Sequence, residues 1–267
     1  MMEDMEEKLE ILRGKSGFVS DMDGVIYHGN QLLPGVKEFV NWMKKNDKRF
    51  LFLTNASGKS PKELKQKLHR MGLEVGEENF YTSALATAKF LSDQAPGCSA
   101  YIIGEPGLYN ALYSVGITSY DVDPDYVVIG ETFNYNLEYM KKAMRLVERG
   151  ARLIATNPDL TYPDEEGNVP ACRALVNPIE LTTGRQAYYI GKPNPLMMRT
   201  ALHMLDTHSG DSVMIGDNMS TDIIAGIESG MTSVLVLSGV STLENIKAFP
   251  YQPTYILESV GDIVPRE

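Results

Sequence analysis

Short apolar runs alternate with amphipathic stretches from one end of the chain to the other, and that alternation leaves an α/β fold with a largely parallel sheet. Gly17 to Met22 reads as a first strand that stops at Asp23-Gly24. Beyond a turn at Leu33-Pro34-Gly35, the residues Val36, Phe39, Val40 and Met43 recur at helical spacing, and Arg49 to Thr54 supplies a second apolar strand. Ser60-Pro61 reads as an N-cap and first-turn proline for a polar helix running towards Met71-Gly72.

A middle block, about Leu85 to Gly184, has strands of its own at Ala100 to Ile103, Tyr126 to Ile129 and Arg152 to Ala155. Two of them end in one triplet, Ile103-Gly104-Glu105 and Ile129-Gly130-Glu131, which hints at a repeated strand-helix module. From Tyr188 the first pattern resumes. It gives a strand to Ile190, a helix from Pro195 to Leu205, a strand Ser212 to Ile215, a helix Thr221 to Ser229 and a strand Thr232 to Leu237. The simplest architecture is a doubly wound, mainly parallel core built from residues 1–84 and 185–267, with an α/β domain of residues 85–184 inserted between its halves.

With 267 residues, 43% hydrophobic and 22% charged, the chain has the composition of a globular protein able to bury a sizeable core. Its 25 basic residues against 35 acidic ones give a net charge of -10, so DNA or RNA polymer would meet long-range repulsion. A small phosphorylated metabolite stays compatible, because a metal ion and one or two buried cations reverse the field inside a cleft. Cys98 and Cys172 belong to no metal-ligand cluster and read as small buried hydrophobes. Met1 to Lys15 alternates acid and base without an apolar run, and no stretch approaches the roughly 18 apolar residues of a membrane span. The expectation is a cytoplasmic protein with no membrane partner, whose N-terminal segment is a solvated helix.

Asp21-Met22-Asp23-Gly24 stands at the carboxyl end of the first strand, where open α/β sheets place their ligand crevice. Two carboxylates two residues apart on extended backbone point the same way, and bringing them together is costly unless a hard divalent cation lies between them. An acidic turn held by hydrogen bonds is the plain alternative. Leu53-Thr54-Asn55 ends the second strand with a hydroxyl, an amide and backbone N–H groups that suit phosphate oxygens, or simply cap a turn. Gly191-Lys192-Pro193 offers one cation after a strand, and Asp217-Asn218 with Asp222 ends another. Taken together, the four sites lie where the fold rule puts a ligand. Gly14-Lys15-Ser16 and Gly58-Lys59-Ser60 mimic the tail of a phosphate-binding loop, but Leu9 and Leu53 stand where its first glycine is required.

Asp21-x-Asp23, Thr54-Asn55, Lys192 and Asp217-Asn218 with Asp222 resemble the four ordered signature motifs of the haloacid dehalogenase superfamily. The run from Gly216 to Gly226, Leu237-Ser238-Gly239-Val240-Ser241, and Ala155-Thr156-Asn157-Pro158-Asp159 in the middle block are similar to its NagD-like nucleotide phosphatase branch. The resemblance implies a phosphatase in which Asp21 is the nucleophile and Asp23 protonates the leaving oxygen, then activates water. It implies Mg²⁺ held by Asp21, the Asp23 backbone carbonyl and Asp217. Thr54, Asn55 and the catalytic Lys192 would grip the phosphoryl oxygens, and Asn218 and Asp222 would orient the metal ligands and Lys192.

The acid two positions after the nucleophile suits hydrolysis of the aspartyl-phosphate. Substrate choice would fall to the inserted cap, through Asn157, Pro158, Asp159, Tyr162 and Arg173. A nucleoside monophosphate such as UMP is the expected substrate. Sugar-phosphate, phosphoglycerol or pyridoxal-phosphate hydrolysis is the alternative, and a silent metabolite-binding protein the remote one. The acidic tract Leu160 to Asn168 departs from the branch and weakens the nucleotide expectation.

Overall fold

The structure is a computed structural model that describes residues 2–163 and 167–265. Asp164, Glu165 and Glu166 of the acidic tract lie outside the described residues. Two larger sheets carry the strands β1 (Gly17–Ser20), β2 (Arg49–Thr54), β3 (Phe80–Thr82), β4 (Ser99–Ile103), β5 (Thr118–Ser119), β6 (Tyr126–Ile129), β7 (Arg152–Ala155), β8 (Tyr188–Tyr189), β9 (Ser212–Gly216), β10 (Thr232–Val236) and β11 (Tyr255–Leu257). One sheet has six strands in the order β11-β10-β9-β1-β2-β3, and the other five in the order β8-β7-β6-β4-β5. The pairs β1–β9, β1–β2, β9–β10 and β10–β11 are parallel, as are all pairs of the second sheet. The fold class is therefore the expected α/β with parallel sheets.

The chain divides into two compact units, one made of Met1–Leu53, Lys65–Phe80 and Met198–Glu267, the other of Thr54–Leu64 and Tyr81–Met197. The second unit is wider than the insertion expected at 85–184. It takes in Thr54–Leu64 because Asn55 bonds to Lys192 and Ser57 to Glu131, contacts between segments far apart in sequence.

In the first unit β1 and β9 are buried throughout, and β10 is buried after its first residue, as strands covered on both faces must be. The helix Val36–Lys45 buries Val36, Phe39, Val40 and Met43, the residues its spacing marked, and its Phe39 meets Phe18 edge-on at 6.2 Å. Gly35 starts it at φ 82°, and a Cβ there would lie 2.5 Å from the Cα of Gly261. The helix Pro61–Arg70, whose first turn belongs to the second unit, opens as read, with Ser60 and Glu63 closing a capping box through Ser60 N–H to Glu63 Oε2 at 2.8 Å.

Two expectations in this unit are revised. The helix expected at 221–229 is a π-helical turn, Met219–Ile223, running into a short α-helix, Ile224–Glu228. Asn218 caps it by accepting from Ser220 N–H at 2.9 Å, which draws the start of the helix back to the strand end. The N-terminal segment is helical over Met2–Gly14 but is not merely solvated. Leu9 and Leu12 are buried, and the buried Arg13 donates from Nε to the Ile263 carbonyl at 2.6 Å.

In the second unit the core gathers inward-facing residues of β4, β6 and β7 with the helices Leu137–Glu148 and Cys172–Thr183. Cys98 and Cys172 are both buried, Cys172 completely, as their reading as small hydrophobes expects. Among the described residues, no helix is long and apolar enough to cross a membrane.

Candidate active site

Asp21 follows β1 and Asp217 follows β9, neighbouring strands of one parallel sheet, so both acids stand at its carboxyl edge. Asp21 N–H continues the ladder to the Ile215 carbonyl at 2.8 Å. Asp21, Asp217 and Asp222 each offer a carboxylate oxygen, and the three oxygens lie within 4.8 Å of one another. Asp217 and Asp222 are buried, and Asp222 reaches the group because the π-helical turn swings it back towards the strand it follows.

Backbone donors and glycines shape this cluster. Asp217 Oδ2 accepts from Val240 N–H at 2.7 Å, and Asp222 Oδ2 accepts from Asn218 N–H at 3.1 Å. A Cβ at Gly239 would fall 2.0 Å from Asp217 Oδ2, one at Gly24 2.5 Å from the same oxygen, and one at Gly216 2.0 Å from Asp222 Cβ. Only glycine admits these carboxylates so close to the main chain. The loops are tied to each other by Ser238, whose hydroxyl donates to the Gly24 carbonyl at 2.7 Å. Three carboxylates packed this closely repel one another, and hard oxygen donors in a shaped cradle fit a divalent cation such as Mg²⁺. Asp222, expected to orient the metal ligands and Lys192, brings a carboxylate oxygen to this group. The Asp23 carboxylate is not among the three.

Asp23 is open to solvent, yet the protein crowding its carboxyl pushes its pKa above the ordinary 3.8; Lys67 opposes the rise and Asp21 adds to it. The buried Tyr27 hydrogen-bonds to Asp23. Burial first and the Asp23 charge second hold the Tyr27 phenol well above 10.0, so it stays a proton donor to the carboxylate. Lys67 Nζ sits 3.6 Å from the centre of the Tyr27 ring. Sequence reading missed Tyr27 and Lys67; the former lies four residues past Asp23, in a two-strand hairpin (Tyr27–His28 with Gln31–Leu32) too short to show as a periodic run.

The remaining expected residues gather in the second unit. Thr54 is buried and its Oγ1 accepts from Ala56 N–H at 3.1 Å, which keeps its own O–H as a donor. Asn55 Oδ1 accepts from the backbone N–H of the buried Lys192 at 2.7 Å. Its Nδ2 donates to the Lys192 carbonyl at 3.1 Å and to Asp159 Oδ2 at 2.9 Å. Asn157 is fully buried, and its amide donates to the Asn55 carbonyl at 2.8 Å and to Glu131 Oε1 at 2.6 Å. It therefore ties the Asn55 turn to Glu131. Arg173 is exposed, its guanidinium 6.0 Å from the Tyr189 ring, and Tyr162 lies in a hairpin of Thr161–Pro163 with Asn168–Pro170.

This arrangement of acids has a recognisable parentage. The family model of haloacid dehalogenase-like hydrolases matches residues 18–118, and a second, HAD-hydrolase-like model matches residues 189–263. The ribonucleotide monophosphatase NagD of Escherichia coli (strain K12) is 43% identical over 245 residues, 92% of this chain and 96% of that protein. The chain belongs to the haloacid dehalogenase-like hydrolases.

Among members of this family, the dihydroxyacetone phosphatase of Corynebacterium glutamicum (strain R) is 42% identical across 92% of this chain and 90% of its own. An acid sugar phosphatase of Staphylococcus aureus (strain USA300) is 36% identical across 92% and 96%. The solved structure of NagD from E. coli K-12 superposes with a TM-score of 0.86 at 42% identity, covering 93% of this chain and 98% of that one. The 4-nitrophenylphosphatase of Thermotoga maritima gives a TM-score of 0.91 at 32% identity, with coverage of 95% and 98%. The haloacid dehalogenase-like chain described here is thus a phosphatase of the NagD-like kind.

Proposed function

We propose that this phosphatase hydrolyses a small-molecule phosphomonoester, a nucleoside monophosphate such as UMP first among them, through an aspartyl-phosphate formed on Asp21 in the presence of Mg²⁺. The observation that carries the reading is the glycine-cradled trio Asp21, Asp217 and Asp222 at the carboxyl edge of β1 and β9. Mg²⁺ would be held by these carboxylates, with the Asp23 carbonyl beside them. When bound, it screens the repulsion between an ionised aspartate and a phosphate dianion.

Asp21 attacks phosphorus and the bond to the leaving oxygen breaks, while Asp23 gives that oxygen its proton. Asp23, now ionised, takes a proton from water as the water oxygen attacks the same phosphorus, releasing phosphate and restoring Asp21. A carboxyl held above its ordinary pKa and aimed by Tyr27 suits this exchange. Thr54 O–H, Asn55 and Lys192 would take the charge spread over the equatorial oxygens. Asp159, Tyr162 and Arg173 would act on the rest of the substrate. The setting is cytoplasmic in this reading, with a free metabolite as partner.

A sugar or triose phosphate is the second substrate reading. It draws on a relative named for dihydroxyacetone phosphate that is 42% identical, against 43% for the one named for ribonucleotides, and on one named for acid sugar phosphates at 36%. Phosphate release from UMP, other nucleoside monophosphates, sugar phosphates, dihydroxyacetone phosphate and pyridoxal phosphate, with Mg²⁺ and with excess chelator, tests the proposal. Release that needs Mg²⁺ and ranks UMP first is the expected result. Release from sugar phosphates and from no nucleotide sinks the nucleotide reading, and release undiminished by chelator sinks the metal.

A further inference from the structure

The repeated triplets Ile103-Gly104-Glu105 and Ile129-Gly130-Glu131 take no part in the chemistry above, yet each glutamate fastens a loop at the carboxyl edge of the second sheet. Glu131, next but one after β6, accepts through Oε2 from the backbone N–H of Ser57 at 2.9 Å and from its hydroxyl at 2.6 Å. Its Oε1 takes the Asn157 amide. Ser57 is three residues past Thr54, so Glu131 is clasped to the turn that supplies the phosphate donors.

Glu105, just past β4, accepts through Oε1 from the Thr132 hydroxyl and the Phe133 N–H, both at 3.0 Å. Thr132 Oγ1 in turn accepts from Asn134 N–H at 3.1 Å, Tyr135 O–H donates to the Leu175 carbonyl, and Asn136 caps the helix Leu137–Glu148. Residues 131–136 are therefore tied down at nearly every position. Phe133, in the middle of this loop, is 88% exposed.

An apolar ring left in water gains when a second flat surface covers it, and a ring on a backbone already fixed loses little entropy on doing so. Phe133 lies two residues from the carboxylate that clasps Ser57. Its loop is bonded through Glu131 to Ser57, two residues past Asn55. We propose that Phe133 is a specificity-determining residue, a stacking surface for a planar ring carried by the phosphate ester. It selects ring-bearing esters over aliphatic ones. This inference rests on the phosphomonoester reading and adds to it the substrate's shape.

The test uses the full chain with Mg²⁺ and compares kcat and KM for UMP and p-nitrophenyl phosphate with those for glycerol phosphate. In Phe133→Ala, the ratio of kcat/KM for ring-bearing over aliphatic esters falls roughly tenfold, within the span that stacking on an aromatic side chain supplies. The loss resides in KM, and Phe133→Trp restores the ratio. A ratio that stays within about twofold in Phe133→Ala overturns the proposal, as does an equal loss on all three esters, which would mark a structural role. A wild-type protein inert towards every ester overturns the phosphomonoester reading and this inference with it. A wild-type protein active on all three with a ratio insensitive to Phe133 overturns this inference alone.

Discussion

The Asn55 side chain and the Lys192 backbone close a two-way bridge, Oδ1 accepting from Lys192 N–H at 2.7 Å and Nδ2 donating to the Lys192 carbonyl at 3.1 Å. The two residues are 137 positions apart, and both are buried. Asn55 thereby fixes where Lys192 leaves the main chain. Asn55→Ala removes both partners from buried backbone groups, at about 1–3 kcal/mol for each group orphaned. Urea unfolding is expected to show the fall in midpoint, and KM for phosphate esters to rise with it. A variant as stable as the parent would show the bridge to be energetically idle.

Asp23→Asn keeps the shape of the side chain and its contact with Tyr27 but cannot carry the proton. Turnover should fall roughly 10²- to 10⁴-fold if Asp23 is the general acid. Steady-state kinetics on UMP and p-nitrophenyl phosphate measure it, and a loss below about tenfold on both removes Asp23 from that role.

Gly239→Ala tests the cradle without touching a charged group. The added Cβ would lie 2.0 Å from Asp217 Oδ2, so the carboxylate must move or the loop must shift. Disturbing the surroundings of a metal ligand typically costs 10- to 100-fold in metal affinity. The Mg²⁺ concentration needed for half-maximal turnover should rise by roughly that factor. An unchanged Mg²⁺ requirement would mean that Asp217 holds no metal.

Complete burial pushes the Cys172 thiol from its ordinary 9.0 up to about 12, with the Glu131 charge adding to the rise. The native thiol stays neutral and unreactive where the unfolded one ionises. Because the folded pKa is the higher of the two, this residue's contribution to stability is intact below about pH 9 and is lost as pH climbs towards 12. A thiol-disulfide reagent at pH 8 should therefore find neither Cys172 nor the buried Cys98 in the native protein, and both after unfolding in denaturant. Prompt reaction of Cys172 in the folded protein would contradict its burial.

Local periodicity and strand-end acids carried the parallel α/β pattern, the helix at Val36–Lys45, the capped start at Ser60-Pro61 and the positions of Asp21, Asp23 and Asp217. These depend on neighbours in sequence: apolar spacing decides which face of an element is buried, and a strand that stops decides where its last side chain can point. Tertiary structure alone decided what those residues meet. It brought Asp222 in among the carboxylates through a π-helical turn, tied the buried Asn157 to the Asn55 carbonyl and Glu131, and gave Arg13 an anchor at Ile263. Tyr27 and Lys67 joined Asp23, and Thr54–Leu64 joined the second unit, for the same reason. Hydrogen bonds between segments a hundred residues apart are set by how sheets and loops pack in space, and no short-range pattern in the chain records them.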